Sequence, residues 1–163
     1  MKSEEPIFEN CVETGAKPPS ARNALQRRRY DLEERLLEFA SEVINVSETL
    51  PNSRAGNHVA GQFLRAGTSP YGNHGEAQEP ESMDDFVHKM KICLKELRET
   101  RRWARLIERQ RWLPNNSRLG FVLREGDELI RIFKASIRTA ETNRASARRG
   151  SKARSGEPAA NEL

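Results

Sequence analysis

Six basic side chains recur every three or four residues between positions 91 and 109, and this spacing is the clearest chemical signal in the sequence. On a helix of about 100° per residue, counted from Phe86, all six fall between about 100° and 180°, whereas the apolar positions fall within about 60° of zero. At about 1.5 Å per residue the row is about 27 Å long, which matches several phosphates of a nucleic acid. The predicted nucleic-acid-binding residues are Lys91, Lys95, Arg98, Arg102, Arg105 and Arg109.

The same basic row also fits roles that involve no nucleic acid. A charged outward face is the usual complement of a buried seam, and Glu99 is spaced to pair with Lys95 or Arg102. An acidic protein partner or a neighbouring protomer would also fit such a face. Asp84, at the N-terminal end, is the carboxylate best placed to interrupt the row. Docking on a membrane surface is disfavoured, because it needs a free apolar face that a helical core already requires.

A second polar row, between residues 58 and 76, mixes acidic, basic and amide side chains opposite a side of small residues. Such groups can bind a ligand, but they more often form hydrogen-bonded contacts between helices or protomers. Partly buried charges also usually need a partner. We interpret the row as a structural or inter-protomer polar network, extended by one acidic residue further along the chain. Its residues are Arg65, Ser69, Asn73, Glu76 and Glu96.

The sequence offers no catalytic or metal-binding constellation. A di-iron bundle needs Glu-x-x-His on two helices, and the nearest match is a single Asp85-x-x-His88. The histidines are scattered, and no glycine-rich phosphate loop occurs. Cys11 and Cys93 are interpreted as free thiols. We therefore expect no enzyme, and no catalytic residue, metal or cofactor.

Four segments with helical periodicity must position these side chains, at about residues 31–50, 57–78, 83–112 and 118–142. In the first, third and fourth segments apolar residues recur in steps of three and four, as in the seam of a bundle helix. Pro51 and Pro114 end the first and third, and Ser82 with Asp85 is a capping-box variant that starts the third. The seam of the third segment comprises Phe86, Met90, Cys93, Leu97, Thr100, Ala104 and Ile107.

The two tryptophans, Trp103 and Trp112, are interpreted as packing residues rather than as platforms on which nucleic-acid bases stack.

The second segment is glycine-rich and contains Pro70, so helix propensity argues against it. Val59 and Phe63 nevertheless keep a helical apolar arc, and the small Ala60 and Gly67 would let a neighbouring helix come close. We therefore predict a helix here. Because the connections are short and no strand-like alternation competes, the predicted fold is all-α, an antiparallel up-down-up-down four-helix bundle.

Both ends of the chain have a different composition. Residues 1–29 carry six Lys/Arg and four Asp/Glu, and residues 143–163 carry five and two, so the two ends hold the positive excess. With little apolar surface to bury, they are predicted to be a disordered polar leader and a disordered basic tail around the bundle at 30–142. These basic ends either collect on phosphates or serve only as solubilising segments. The leader lacks the pattern of a signal peptide, so we expect a cytoplasmic protein without a membrane partner.

One ordered set of polar and apolar residues carries a family resemblance. Arg65, Ser69, Asn73 and Glu76 are followed by Phe86, Lys95, Glu96, Leu97, Glu99 and Trp103. Over roughly residues 30–142 the chain resembles the four-helix-bundle family first met as proteins encoded by intervening sequences in bacterial 23S ribosomal RNA. A related branch comprises the accessory variability determinant proteins of diversity-generating retroelements.

The resemblance implies a four-helix bundle that assembles into a ring, commonly a homopentamer. For the retroelement branch it also implies a basic surface that binds nucleic acid and a reverse transcriptase. We therefore expect a non-enzymatic, self-associating protein that binds RNA or DNA, with structured RNA favoured, and a reverse transcriptase if its gene lies in a retroelement. The alternative is an oligomeric protein-interaction scaffold with no nucleic-acid role.

Overall fold

The structure, a computed structural model, describes the backbone of residues 31–154 and the side chains of residues 31–147. Within that span the chain forms four helices and no strand: α1 (Leu32–Glu48), α2 (Arg54–Gln78), α3 (Met83–Gln110) and α4 (Ser117–Arg154). The predicted all-α class and the four helices are confirmed. The predicted leader, residues 1–29, lies outside the described residues.

Short side chains fix where the helices begin. Asp31 precedes α1, Ser53 precedes α2 and Ser82 precedes α3, and each accepts a backbone hydrogen bond from three residues later, at 3.2, 3.1 and 3.1 Å. These bonds satisfy amide groups that have no partner inside the helix. The predicted start at Ser82 is confirmed, whereas α2 begins at Arg54, three residues earlier than predicted. At the end of α3, Arg111 adopts a left-handed backbone (φ 54°) that terminates the helix.

Ion pairs between helices show that neighbouring helices run antiparallel. Arg35 of α1 lies 2.6 Å from Glu125 of α4, whereas Glu42, further along α1, lies 3.2 Å from Arg118, nearer the start of α4. Each helix packs on the next in the chain, and α1 packs on α4 to close the bundle. The structure is therefore an up-down-up-down four-helix bundle.

The predicted seams form the core. On α3 every seam residue from Met90 to Ile107 is buried, and Phe39 and Phe133 add the largest buried side chains of α1 and α4. Burying this apolar surface stabilises the bundle and sets the rotation of each helix about its axis.

The α2 helix forms despite its composition, because its small residues solve a packing problem. A Cβ atom built on Gly67 would lie 2.7 Å from Cγ2 of Val43 on α1, so only glycine allows the two helices to approach this closely. Pro70 is buried within the helix, and the Cys93 thiol of α3 donates to its carbonyl oxygen at 3.5 Å. Burial raises the pKa of this thiol to about 12, so Cys93 stays a neutral donor in the core.

The α4 helix is longer than the sequence pattern predicts. Its apolar seam ends near Ala140, but helical backbone continues to Arg154, so residues 143–154 are helical where a disordered tail was expected. Ala, Arg and Lys are among the best helix formers, and no proline interrupts this stretch, so local propensity favours a helix that continues beyond its apolar seam. Residues 155–163 lie outside the described part of the chain.

His74 is a buried polar side chain on α2. It is 5% exposed, its Nε2 lies 2.9 Å from the Gln78 amide nitrogen, and its ring meets Phe133 edge-on with centroids 6.1 Å apart. Its Nδ1 atom has no hydrogen-bond partner among the described residues. Burial lowers the pKa of His74, and the negative charges of Glu33 and Asp31 offset part of that effect.

We expect Gly67→Ala to lower the free energy of unfolding by about 1–3 kcal/mol, because the added methyl group overlaps Val43. Gly61→Ala is the matched control on the same helix, since a Cβ there meets nothing within 4 Å. This control should gain up to about 1 kcal/mol from helix propensity. Urea unfolding measures both, and a Gly67→Ala protein as stable as the Gly61→Ala protein would contradict the close approach.

We expect acidification from about pH 7.5 to about pH 5.5 to destabilise the native sequence more than a His74→Gln variant. The unfolded chain takes up a proton near the ordinary pKa of 6.5, whereas the folded chain resists it because burial lowers the pKa. The stability from this group is present above pH 6.5 and is lost as the pH falls toward the lowered value. Urea unfolding at both pH values measures the difference, with exposed His88→Gln as control. Equal losses in the native and His74→Gln chains would show that His74 is not responsible.

Candidate nucleic-acid interface

All six residues of the predicted basic row have exposed side chains on the outer side of α3. Their position follows from the core, because burial of the α3 seam turns the opposite side of the helix to solvent. We call this row of six, from Lys91 to Arg109, the α3 basic face. Its assignment as a binding site stays a prediction.

The N-terminal end of the α3 basic face is partly neutralised. Lys91 lies 2.6 Å from Glu141 of α4. The hydrogen bond from Lys91, together with its charge, lowers the pKa of the Glu141 carboxyl group. The other five cations form no ion pair with any residue from 31 to 147. The open part of the face therefore runs from Lys95 to Arg109, about 21 Å of helix.

Two exposed carboxylates lie near the two ends of the face. Asp84, the predicted interrupting residue, pairs with Arg144 of α4. At the other end, exposed Glu108 lines a depression together with Arg105 and Arg109. Arg111 lines the same depression and adds a cation that the helical pattern could not include, because it lies in the left-handed turn after α3.

Apolar side chains lie directly beside the cations, which the sequence analysis did not anticipate. A groove on α3 is lined by Leu94, Trp103, Leu106 and by Ile137 of α4, together with four members of the basic face and Glu99. Leu106 is 36% exposed, and Trp103 is half-buried. Leu94 and Leu106 lie near 80° and about 200° on the helical wheel, at the two edges of the cationic arc. That placement is the signal from which the groove was predictable. We call it the α3 groove.

Glu99 lines the groove but does not pair with the basic face. Its Oε1 atom accepts from Arg65 of α2 at 2.7 Å and from the indole nitrogen of Trp103 at 3.4 Å. The expected alternatives, Lys95 and Arg102, do not hold it. The carboxylate is therefore compensated from α2, and the cations on α3 remain available.

The rest of the α2 polar row divides between two kinds of contact. Arg65 also lies 3.7 Å from the carboxylate of Glu96, which is 6% exposed, and Glu76 pairs with Lys89 of α3. Asn73 instead donates to the backbone and side chain of Ser69, one turn earlier on its own helix. These residues thus contact α3 or α2 within one chain, and their role between protomers stays a prediction.

Comparison with known proteins identifies the family. The model of the family described as 23S rRNA-intervening sequence protein matches residues 28–134, about two thirds of the chain and all of the α3 basic face. The chain belongs to the 23S rRNA-intervening sequence protein family. A crystal structure of a protein of unknown function from the S23 ribosomal protein family of Bacteroides thetaiotaomicron is similar, with 30% identity and a TM-score of 0.59. The similarity covers 64% of this chain and 96% of that chain. A search of curated proteins finds no match.

Neither a membrane-spanning helix nor a metal-binding cluster is present in the part of this family member that the structure describes. Across residues 31–154 no helix is long and apolar enough to cross a membrane. No cluster of three or more His, Cys, Asp or Glu side chains could hold a metal ion in that part of the chain. Asp85, half of the near match to a di-iron motif, instead accepts a hydrogen bond from the Glu81 amide at 3.4 Å at the start of α3. His88 is exposed.

We expect Arg65→Ala to lower the free energy of unfolding by about 1–3 kcal/mol, because it leaves the buried Glu96 carboxylate without a cation. Adding Glu96→Gln in the same chain should restore part of the loss by removing the buried charge. Glu76→Ala, which breaks a more exposed pair, should cost less. Urea unfolding of the variants tests the ranking, which is wrong if Glu76→Ala costs as much as Arg65→Ala.

Proposed function

We propose that this protein is a non-enzymatic, self-associating bundle that binds nucleic acid, with structured RNA favoured, through the α3 basic face. The observation that carries the proposal is the set of five exposed cations, from Lys95 to Arg109, that no described carboxylate neutralises. They stand on a rigid helix at steps of three and four residues. A row of this kind can follow a phosphate backbone without reading its sequence.

Charge distribution supports the proposal more strongly than total charge. The net charge is only +4, and residues 30–142 carry 17 Lys/Arg and 18 Asp/Glu, so the bundle has no overall excess of cations. Attraction for a polyanion therefore depends on the separation of basic from acidic side chains on the surface of the bundle. Here segregation arises because Glu99 pairs with α2, whereas Lys95, Arg98 and Arg102 remain on the outer side of α3. The family name refers to 23S rRNA, which agrees with RNA as the favoured nucleic acid.

Self-association is proposed on separate grounds. Leu37 and Ile44 are 42% and 44% exposed on α1, and they lie two helical turns apart on one side of the helix. A second copy that covered them would remove apolar surface from water. We propose a homopentamer, as the family resemblance implies, with a reverse transcriptase as a further partner if the gene lies in a retroelement.

The second candidate function is a protein-interaction scaffold with no nucleic-acid role. The α3 groove favours it, because Leu94, Leu106 and Ile137 would suit the apolar side of an acidic amphipathic helix. Binding to such a helix would also depend on salt. Direct titration with RNA is therefore the measurement that separates the two functions.

We expect replacement of four members of the basic face by Gln to weaken binding to an RNA hairpin by at least about tenfold at low salt. The slope of log K against log salt should also flatten, by about one for each phosphate that the variant no longer neutralises. Fluorescence anisotropy across a salt series measures both, and light scattering checks the oligomeric state. The replaced residues are Lys95, Arg98, Arg102 and Arg105.

The matched control removes four exposed cations from α4 and so changes the net charge equally. It replaces Arg124, Arg131, Lys134 and Arg138 by Gln. The control should keep most of its affinity, because these residues lie outside the α3 basic face. Equal losses in the two proteins would mean that only net charge matters, and unchanged affinity in the α3 variant would exclude the face as the binding site.

A further inference from the structure

We propose that the α3 groove binds unpaired nucleotides, so that the basic face recognises a single-stranded segment or loop of RNA rather than a continuous duplex. This inference rests on the proposed function and specifies its ligand. It is carried by one juxtaposition: a half-buried Trp103 lines the same groove as Lys95, Arg98 and Arg102.

Two contacts hold the Trp103 ring at the groove, and a third fixes one of its partners. Its indole nitrogen donates to Glu99 at 3.4 Å, and Glu99 is held in turn by Arg65 at 2.7 Å. The His58 ring of α2 meets it edge-on, with centroids 6.2 Å apart and an interplanar angle of 78°. A fixed aromatic ring loses little freedom when a flat partner stacks on it. Trp103 thus packs on the bundle and also lines the groove, and this proposal gives it the base-stacking role that the sequence pattern disfavoured.

The apolar lining of the groove distinguishes between forms of RNA. A duplex presents its phosphates and sugars to a protein and keeps the faces of its bases stacked inside, so it offers little to cover Leu94 or Leu106. An unpaired nucleotide offers a phosphate for the cations and an apolar base face for the groove. This combination of a charged track with an aromatic platform is how proteins bind single strands without sequence preference.

The arrangement of the cations favours a nucleic acid over an acidic peptide. Of the cations from Lys95 to Arg109, four are arginines, whose planar guanidinium groups bind phosphate through two hydrogen bonds and also stack on bases. They continue beyond the groove to Arg105 and Arg109, where the lining is mainly charged. A peptide helix would be contacted where the apolar residues are, whereas a strand can follow the whole row.

The experiment uses the tryptophan itself as the probe. The chain has two tryptophans, so Trp112→Phe leaves Trp103 as the single tryptophan, which is excited selectively at the red edge of its absorption, where the two tyrosines do not absorb. This protein is titrated with a single-stranded uridine dodecamer and with a blunt duplex of about 12 base pairs, while anisotropy of a labelled strand gives each affinity. We expect the dodecamer to quench Trp103 and to bind more tightly, and the duplex to leave the fluorescence nearly unchanged.

A substitution at Trp103 distinguishes the contribution of base stacking to RNA binding from the contribution of the cations. Trp103→Leu keeps an apolar side chain but removes the ring, and it should weaken dodecamer binding by about 5- to 100-fold while changing duplex binding less than about twofold. Trp103→Phe should restore part of the loss. Thermal melting and light scattering confirm that each variant is folded and assembled. If Trp103→Leu does not fold, Leu106→Ser replaces it, because Leu106 lines the same groove and is exposed.

The possible results have different meanings. Equal binding of both RNAs through the α3 basic face, without quenching, would overturn this inference and leave the proposed function intact. Failure of both RNAs to bind would overturn both. Quenching by an acidic amphipathic peptide, with no response to either RNA, would do the same and would assign the groove to a protein partner.

Discussion

The burial of one side of α3 in the bundle core is the constraint on which the rest of the structure depends. Residues from Met90 to Ile107 fill the seam, and this fixes the rotation of the helix, so the opposite side must face solvent. Five of the six cations of the α3 basic face, from Lys95 to Arg109, are positioned by this rotation and form no ion pair with any residue from 31 to 147. The neighbouring helices then decide which charges stay available: Glu141 neutralises Lys91, whereas Arg65 draws Glu99 away from the row.

Much of the fold was predictable because local chemistry and the three-to-four residue period agree. The cap at Ser82 and the buried seam of α3 both follow from the spacing of residues along one segment. Helix propensity opposes the α2 helix, so its prediction rested on packing between helices. The structure explains the helix by the close approach of Gly67 to Val43 of α1. The end of α4 was misjudged because helical propensity alone, without any apolar seam, continues the helix to Arg154.

The candidate site was predictable only where it depends on one helix. The six cations lie on the exposed side because helical geometry puts them there. The pairing of Lys91 with Glu141, and the approach of Ile137 to Leu94 and Trp103 in the α3 groove, depend on how α3 and α4 are rotated against each other. A single sequence does not contain that information, so these contacts between α3 and α4 appear only in three dimensions, whereas the positions of Leu94 and Leu106 beside the cations follow from the helical pattern.

The ion pair between Arg65 and Glu99 determines which charges on α3 stay unpaired. By holding this carboxylate toward α2, the folded bundle leaves the cations from Lys95 to Arg109 unpaired among residues 31–147 and so concentrates a positive field there, although residues 30–142 carry slightly more acid than base. In an unfolded chain the same acidic and basic groups would be interleaved, and the field would largely cancel. The proposed affinity for a polyanion therefore depends on tertiary structure rather than on composition.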